Sequence, residues 1–393
     1  MSIDIHPVRT SQDFEDFVRF PYRLYREDPN WVPPLLSERR KSLHPDHNPF
    51  FDHAEVVLWL ARRNTSRQRD RPRQRATPVV GTISSHIDHL HNQVHGESTG
   101  MFGFFETVDD YAVAEAMLTT TCDWARQRRM TTLQGPFSFS MNQECGVLLR
   151  GDPGPPTVMM PHNPDYYVQF CERFGLTKAL DLFAYLVDLT RFEGDPARFP
   201  AKLLRVADKV RKRDRFAIRH TSAKTYSDDL QKIKMIYNQA WAENWGFVPL
   251  TDAEFDKMEV DLKQVFDPDL GVGAEVDGQP AGVAIAIPDI NQVLRHLNGR
   301  LFPMGWLKAL WLLRSIDRSR LFMLGVPHKY RGQGIEAVLF YEVVKAAILK
   351  GHKEMEISWI LENNDMMNRI IRNLGQGCGV RVYRTYRLFR MSL

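Results

Sequence analysis

Cysteine is scarce in this sequence: Cys122, Cys145, Cys171 and Cys378 are four residues in a chain of 393. No two lie close together and no CxxC occurs, so neither a disulfide framework nor a cysteine zinc site is indicated. Small buried thiols are the expectation for all four, and no metal is expected. Long apolar runs are missing as well. Nothing reaches the roughly 18 consecutive apolar residues of a membrane span. The opening "MSIDIHPVRTSQDFEDF" has acids where a signal peptide carries its apolar core, so a cytoplasmic location is expected. Charge of one sign is also weak. Lys and Arg number 52 against 48 Asp and Glu, a net +4, which admits an anionic ligand but gives no argument for nucleic acid. No nucleic-acid partner is therefore expected.

What is present fits a packed enzyme. With 43% hydrophobic and 25% charged residues the chain can build cores, and its length exceeds what one ordinary core serves, so two domains are expected. Strand-like and helix-like stretches alternate in both halves. "AEVVLWLAR" and "PVVGTISSHID" read as a hairpin, followed by the strand "MFGFFE", a helix from Asp109 to Arg128 and the strand "MTTLQGP"; "ALDLFAYLVDL" closes the half. In "AKLLRVADKVRKR", Leu203, Val206, Ala207 and Val210 recur at helical spacing. The order then repeats: "GVGAEV" and "QPAGVAIAIPD" as a hairpin, the strand "RLFMLGV", the helix "EAVLFYEVVKAAILK" and the strand "EMEISWI". Gly81 precedes Asp88 by seven positions in "GTISSHID", and Gly282 precedes Asp289 by seven in "GVAIAIPD". An internal duplication follows from this coincidence and the matching order. Its boundary is placed near 195, in "FEGDPARFP", giving domains 1–195 and 196–393.

Two segments stand out by composition. "RRNTSRQRDRPRQR", residues 62–75, carries seven arginines and one acid at a hairpin tip, and reads as a solvated loop. "RLFPMGWLKALWLLRSI", residues 300–316, gathers Leu307, Leu310, Trp311 and Ile316 on one helical face with Lys308 and Arg314 around it. It is read as a core or lid helix rather than a membrane-surface anchor.

The most informative stretch is "GVPHKYRGQGIEAVLF", residues 325–340. A glycine-rich turn that leads straight into a helix leaves backbone N–H groups unpaired at the positive end of the helix dipole, and a pyrophosphate fits both. No structural requirement for the intact turn is visible in the sequence. "VPHKYRGQGI" resembles the acyl-CoA-binding segment of the GNAT superfamily of N-acetyltransferases, whose pattern is Arg or Gln, two residues, Gly, one residue, then Gly or Ala. Arg331 and Gly334 match, and the sixth position departs, holding Glu336, whose acidic side chain must turn away from phosphates.

The resemblance implies a mixed-sheet α/β fold of two tandem GNAT-like domains, each a mostly antiparallel sheet flanked by helices. It implies an acyltransferase that moves an acetyl or other acyl group from acyl-CoA to the amine of a small molecule or peptide. Backbone of Leu324 and Val326 would face the thioester beside a splayed neighbouring strand. Arg331, Gly332, Gln333, Gly334, Ile335 and Glu336 would form the phosphate turn, and Asn364, or Asn363, would meet the pantetheine arm. The family spacing to a helical tyrosine arrives at Ile371, leaving Tyr383 and Tyr386 as substitutes for the acid. For the base, Asp289 and Glu362 are candidates, and Trp241, Trp245 and Phe247 suggest a partly aromatic acceptor pocket. The first half has Asp109 and Asp110 where the turn belongs, which would repel a pyrophosphate, so the resemblance makes it a degenerate copy. Two rival readings stand beside this one. "GQGIEA" also satisfies G-x-G-x-x-A, with Glu356 as a ribose-binding acid, which would make the protein a dinucleotide-binding oxidoreductase. The missing tyrosine and Glu336 equally suit a non-catalytic CoA-binding or scaffold module.

Overall fold

In the computed structural model residues 2–64, 77–222 and 226–393 are described, without the side chains of 64, 226, 227 and 374–378. Most of the Arg-rich segment 62–75 and the Cys378 side chain lie outside the described residues. Cys122, Cys145 and Cys171 are buried thiols, as expected.

The elements run β1 Ser2–Pro7, α1 Ser11–Leu24, α2 Leu36–Leu43, β2 Ala54–Asn64, β3 Val79–Asp88, α3 His89–His95, β4 Thr99–Thr107, α4 Tyr111–Gln127, β5 Thr132–Gly135, β6 Val147–Gly151 and α5 Tyr166–Arg173. They continue β7 Thr177–Asp188, α6 Ala201–Arg211, β8 Phe216–His220, α7 Tyr226–Ala240, α8 Asp252–Lys263, β9 Gly271–Val276 and β10 Gln279–Pro288. The remainder is α9 Asn291–Leu294, α10 Gly305–Leu312, β11 Arg318–Gly325, α11 Ile335–Leu349, β12 Glu354–Leu361, α12 Asp365–Cys378 and β13 Arg381–Ser392.

The chain divides into two units. The first comprises 1–181, 297–301 and 386–393; the second comprises 182–296 and 302–385. In the first, strands lie in the order β1-β2-β3-β4-β5-β13, antiparallel except for β4 beside β5. In the second, the order is β8-β9-β10-β11-β12-β7, antiparallel except for β11 beside β12. β11, α11 and β12 do make a parallel βαβ unit around the glycine turn, but every other pairing in this unit is antiparallel, unlike the doubly wound parallel sheet of a dinucleotide-binding fold.

The paired glycines explain the repeat. Gly81 in β3 sits opposite Ala61, and Gly282 in β10 opposite Ala274. A Cβ on Gly81 would stand 2.8 Å from Met117 on α4, and one on Gly282 would stand 2.8 Å from Leu339 on α11. In both units the missing side chain lets the following helix lie close on the sheet. Asp88 and Asp289 are both buried and accept the backbone N–H of His91 and Asn291.

α11 is apolar around most of its circumference, which marks a core helix, and its Glu342 is paired with Arg211 and Lys345. Ile335, Val338, Leu339, Val343, Val344 and Ala347 are all fully buried. α6 covers it with Leu203, Ala207 and Val210, the face that the spacing gives. α10 behaves otherwise. None of its residues is buried, and Leu307, Leu310 and Trp311 face solvent, so the core reading of 300–316 is corrected. Helical spacing of apolar residues identifies a face without saying what covers it.

The contact division falls inside β7, ahead of the compositional boundary at 195. β7 pairs with β12 through Leu182–Asp188, while the end of β13 pairs with β5 through Phe389–Ser392. Each sheet thus takes a strand from the other half of the chain. Tyr185, Val187 and Phe192 belong to the second unit's core. A fragment 196–393 should therefore show no cooperative thermal transition, while 177–385 retains one; calorimetry on both decides the point, and a cooperative 196–393 would contradict the exchange.

Where β4 leads into α4 the first unit carries Glu106 near the end of the strand and Asp109 and Asp110 after it. Asp110 caps α4 by accepting from Ala112 N–H and pairs with Arg63. Glu106 is held by the hydroxyls of Tyr25 at 2.6 Å and Tyr167 at 2.8 Å. Burial pushes its carboxyl from 4.5 up to about 7, against the opposing pull of the two tyrosine hydrogen bonds. The folded state therefore holds an extra proton between those values, and this group's contribution to stability falls as pH rises from 4.5 toward 7. Replacing Glu106 with Gln should stabilise the protein by about 1–3 kcal/mol at pH 8, and flatten that part of the curve, in urea titrations across pH.

Candidate functional site

The paired register between β11 and β12 extends from Arg318–Glu354 to Leu321–Ile357. Past that rung the strands part. On its other edge β11 stays bonded to β10 through Ala284–Leu324 and Val283–Gly325, so only the edge toward β12 is released. The gap is a cavity of about 320 Å³. Residues 324–326 line one side, Leu361 and 363–367 the opposite side, and 240, 241 and 243–245 at the end of α7 a third; Arg331 and Glu336 complete it.

The glycine turn enters α11 beside this cavity. Gly332 and Gly334 adopt left-handed φ values of 73° and 82°, and Gly334 N-caps α11. A Cβ on Gly334 would lie 3.1 Å from Val210 and 3.2 Å from Val206 on α6. Glycine is thus required here for φ and for packing, a structural need the sequence did not reveal. The first turn of α11 still offers N–H groups without intrahelical partners and the positive end of a dipole.

The other residues singled out in the sequence take distinct places. Leu324, Val326, Arg331, Glu336 and Asn364 line the cavity together. The Arg331 side chain donates to the carbonyls of Ala240 at 2.8 Å and Val326 at 3.2 Å, with Glu243 at 3.3 Å, and so laces the end of β11 to the end of α7. Gln333 is exposed and Ile335 is core. Asn364 N-caps α12, its Oδ1 accepting from Met367 N–H at 3.1 Å. Glu336 does not turn out to solvent. It is buried on the cavity wall, and its Oε1 has no hydrogen-bond partner among the described residues. Trp241 and Trp245 line the cavity, while Phe247 packs beside Tyr237 in the core.

The three candidate acid–base groups are not brought to it. β10 runs antiparallel to β11, so Asp289 follows the Pro288–Ser319 rung. The lining begins at Leu324, about 16 Å of strand away at ~3.3 Å per residue. There Asp289 is buried and accepts the Asn291 N–H. The Tyr383 hydroxyl donates to Glu356, which is fully buried in β12 and also accepts from Ser358. Neither Tyr383 as a leaving-group acid nor Glu356 as a ribose ligand reaches an open space. Tyr386 is fully buried in the first unit. Glu362 sits between two lining residues without lining the cavity itself.

Sequence reasoning missed Met366 and Met367, which line the cavity from the first turn of α12. The signal was present: Asn364 three residues before Met367 is an N-cap pattern that places both methionines at a helix start. Asn368 was missed too. Buried, it accepts from the Tyr185 hydroxyl at 2.7 Å and donates to the carbonyls of Leu361 at 2.9 Å and Glu362 at 3.2 Å, fixing the 361–367 wall to β7.

Bacterial ceramide synthase of Caulobacter vibrioides is 37% identical over 401 residues, covering 100% of this chain and 98% of that protein. The chain belongs to its family. Protein YghO of Escherichia coli K12 is 34% identical over 387 residues, spanning 97% of this chain and 93% of its own length. No family model matches. Among solved structures, a tandem GNAT protein from the clavulanic acid biosynthesis pathway superposes with a TM-score of 0.56 at 12% identity, over 100% of this chain and 98% of that one. A GCN5-related N-acetyltransferase from Sphaerobacter thermophilus gives 0.50 at 13%, over 99% and 95%. This branch of the ceramide synthase family therefore has the tandem GNAT fold, as the motif in its second half implies.

Asn368→Ala would leave the Tyr185 hydroxyl and two carbonyls unpaired in a buried place. It should cost about 2–4 kcal/mol in urea unfolding and loosen the cavity wall; a loss within about 0.5 kcal/mol would show that the wall is held by other contacts.

Proposed function

We propose that the protein is an N-acyltransferase that moves an acyl group from acyl-CoA to the amine of a long-chain amino alcohol, giving a ceramide-type amide. The observation that carries this reading is the cavity between the parted ends of β11 and β12, beside the helix-entering glycine turn. An acyl thioester needs a released strand edge for its carbonyl and pantetheine amides, and a set of unpaired N–H groups for its pyrophosphate. Both are within one cavity's reach here. The name of the ceramide synthase relative supports a lipid amine as acceptor, and Trp241, Trp245, Met366 and Met367 supply an apolar lining that suits its chain.

In this reading residues 332–336 hold the pyrophosphate by backbone N–H groups, and the edge of β11 near Leu324 and Val326 hydrogen-bonds the pantetheine and the thioester. The free amine attacks the thioester carbon. The C–N bond forms, the C–S bond breaks, the nitrogen gives up one of its two protons to water, and the departing thiolate takes one up from water, so amide and free thiol result. The amine must first lose its ammonium proton, and Glu336 is a buried carboxylate of the cavity able to receive it, on a lining that also holds Glu243 and Asp365. The first unit, with acids at the end of β4, holds no second cofactor and serves as a degenerate copy.

Incubation with acetyl-CoA or palmitoyl-CoA plus sphinganine, followed by free thiol and amide product, tests the activity and its acyl length. Thiol release with neither donor would favour the non-catalytic module instead. Calorimetry should give one CoA per chain, and two equivalent sites would overturn the degenerate first unit. Gln333→Glu adds a charge at an exposed turn position and should weaken CoA binding roughly tenfold without altering the fold. Glu336→Gln should lower kcat about 100-fold with CoA affinity kept.

A further inference from the structure

Segment 302–316 leaves an apolar surface that nothing in its unit covers. Phe302 is 79% exposed, Trp311 72% and Met304 66%, and Trp306, Leu307, Leu310 and Leu313 are exposed with them. A run of seven large apolar side chains in solvent is costly in water and marks a surface that meets another apolar phase. No described helix is long and apolar enough to cross a membrane, and α10 has only eight residues, so the segment can lie on a bilayer and not through it.

The charge around this surface narrows the occupant. From 290 to 316 the sequence contains Arg295, Arg300, Lys308 and Arg314 and no Asp or Glu, although charged residues of both signs are common elsewhere. Asp289 and Asp317 close the stretch at either end, and both are engaged: Asp289 accepts the Asn291 N–H, and Asp317 pairs with Lys353 and accepts from Gln292. Lys308 and Arg314 lie exposed among the apolar residues. Apolar and aromatic side chains beside cations without anions match the interface of an anionic bilayer: acyl tails for Phe302, Leu310 and Trp311, lipid phosphates for Lys308 and Arg314. A second copy of the chain would bring the same cations against themselves and gain less.

We infer that residues 302–316 dock the protein onto the surface of anionic phospholipid bilayers. This concerns where the protein works and stands on surface chemistry alone, whichever acyl acceptor it uses. It also gives α10 a purpose within the chain, since the segment runs directly into β11, whose far end lines the cavity.

The test needs no substrate. The full-length protein is floated with vesicles of phosphatidylglycerol mixed with phosphatidylcholine and, separately, of phosphatidylcholine alone. It should co-float with the first, weakly with the second, and binding should fall as salt is raised. Each of Lys308→Glu and Arg314→Glu should weaken binding to the anionic vesicles at least roughly fivefold, and Phe302→Ser with Trp311→Ser should abolish it. Because these positions are exposed, melting temperatures should stay at the parent value. If a variant does not fold, the salt and lipid dependence of the parent decides alone. No flotation of the parent, equal binding to both vesicle types, or undiminished binding by the folded variants would overturn the inference. So would light scattering that shows a parent dimer converted to monomer by the Phe302 and Trp311 changes, which would assign the surface to a second copy.

Discussion

The buried pairing of Arg320 with Glu356 is the constraint on which the site depends. The two residues face each other on neighbouring strands one rung before β11 and β12 part. Both are almost wholly buried, with Arg320 Nε 3.7 Å from Glu356 Oε1. Arg320 Nη2 also donates to the carbonyl of Ser358 at 3.3 Å, and Ser358 and Tyr383 add hydroxyl donors to the carboxylate. Removing one member of a buried charge pair costs about 3–5 kcal/mol because the other is left uncompensated. The strands are therefore pinned immediately before the point where they must separate, and the opening beyond is a defined gap and not a frayed end. Asn368 and Arg331 fix the two flanks of that gap by the same means, side chains that donate to main-chain carbonyls at the ends of β12 and α7.

Much of this was legible beforehand, for identifiable reasons. The hairpins, the core helix at 335–349 and the apolar face of α6 follow from period and composition, which act locally. The Gly81–Asp88 and Gly282–Asp289 coincidence was readable because close helix–sheet packing and a buried acceptor for the next backbone N–H groups each tolerate few residue types. The glycine turn announced a helix start and an anion-suited N-terminus. The cavity-lining set Leu324, Val326, Arg331, Glu336 and Asn364 could be named because the segment around the glycine turn resembles the GNAT acyl-CoA-binding motif, although Arg331 and Asn364 spend their side chains on holding the walls.

What escaped the sequence was whatever depends on distant partners. Asp289 looked like a site residue because it ends a strand near the one that matters; the antiparallel direction of β10 sends that end away. Gly334 looked free of structural duty because the valines that press on it come from α6, more than a hundred residues earlier in the chain. The outward face of α10 has the same pattern as an inward one, and only the fold says which side is covered.

The exchange of β7 and β13 has a consequence for synthesis on the ribosome. β5 emerges early, but its partner in the sheet is the segment from Phe389 to Ser392. At ~5–20 residues per second, the gap between Gly135 and Phe389 amounts to roughly ten to fifty seconds during which β5 waits with an open edge. The unit made first is thus the last to close, and an unpaired strand edge in that interval invites pairing with other nascent chains. The shortness of β5, four residues, limits how much edge is on offer while it waits.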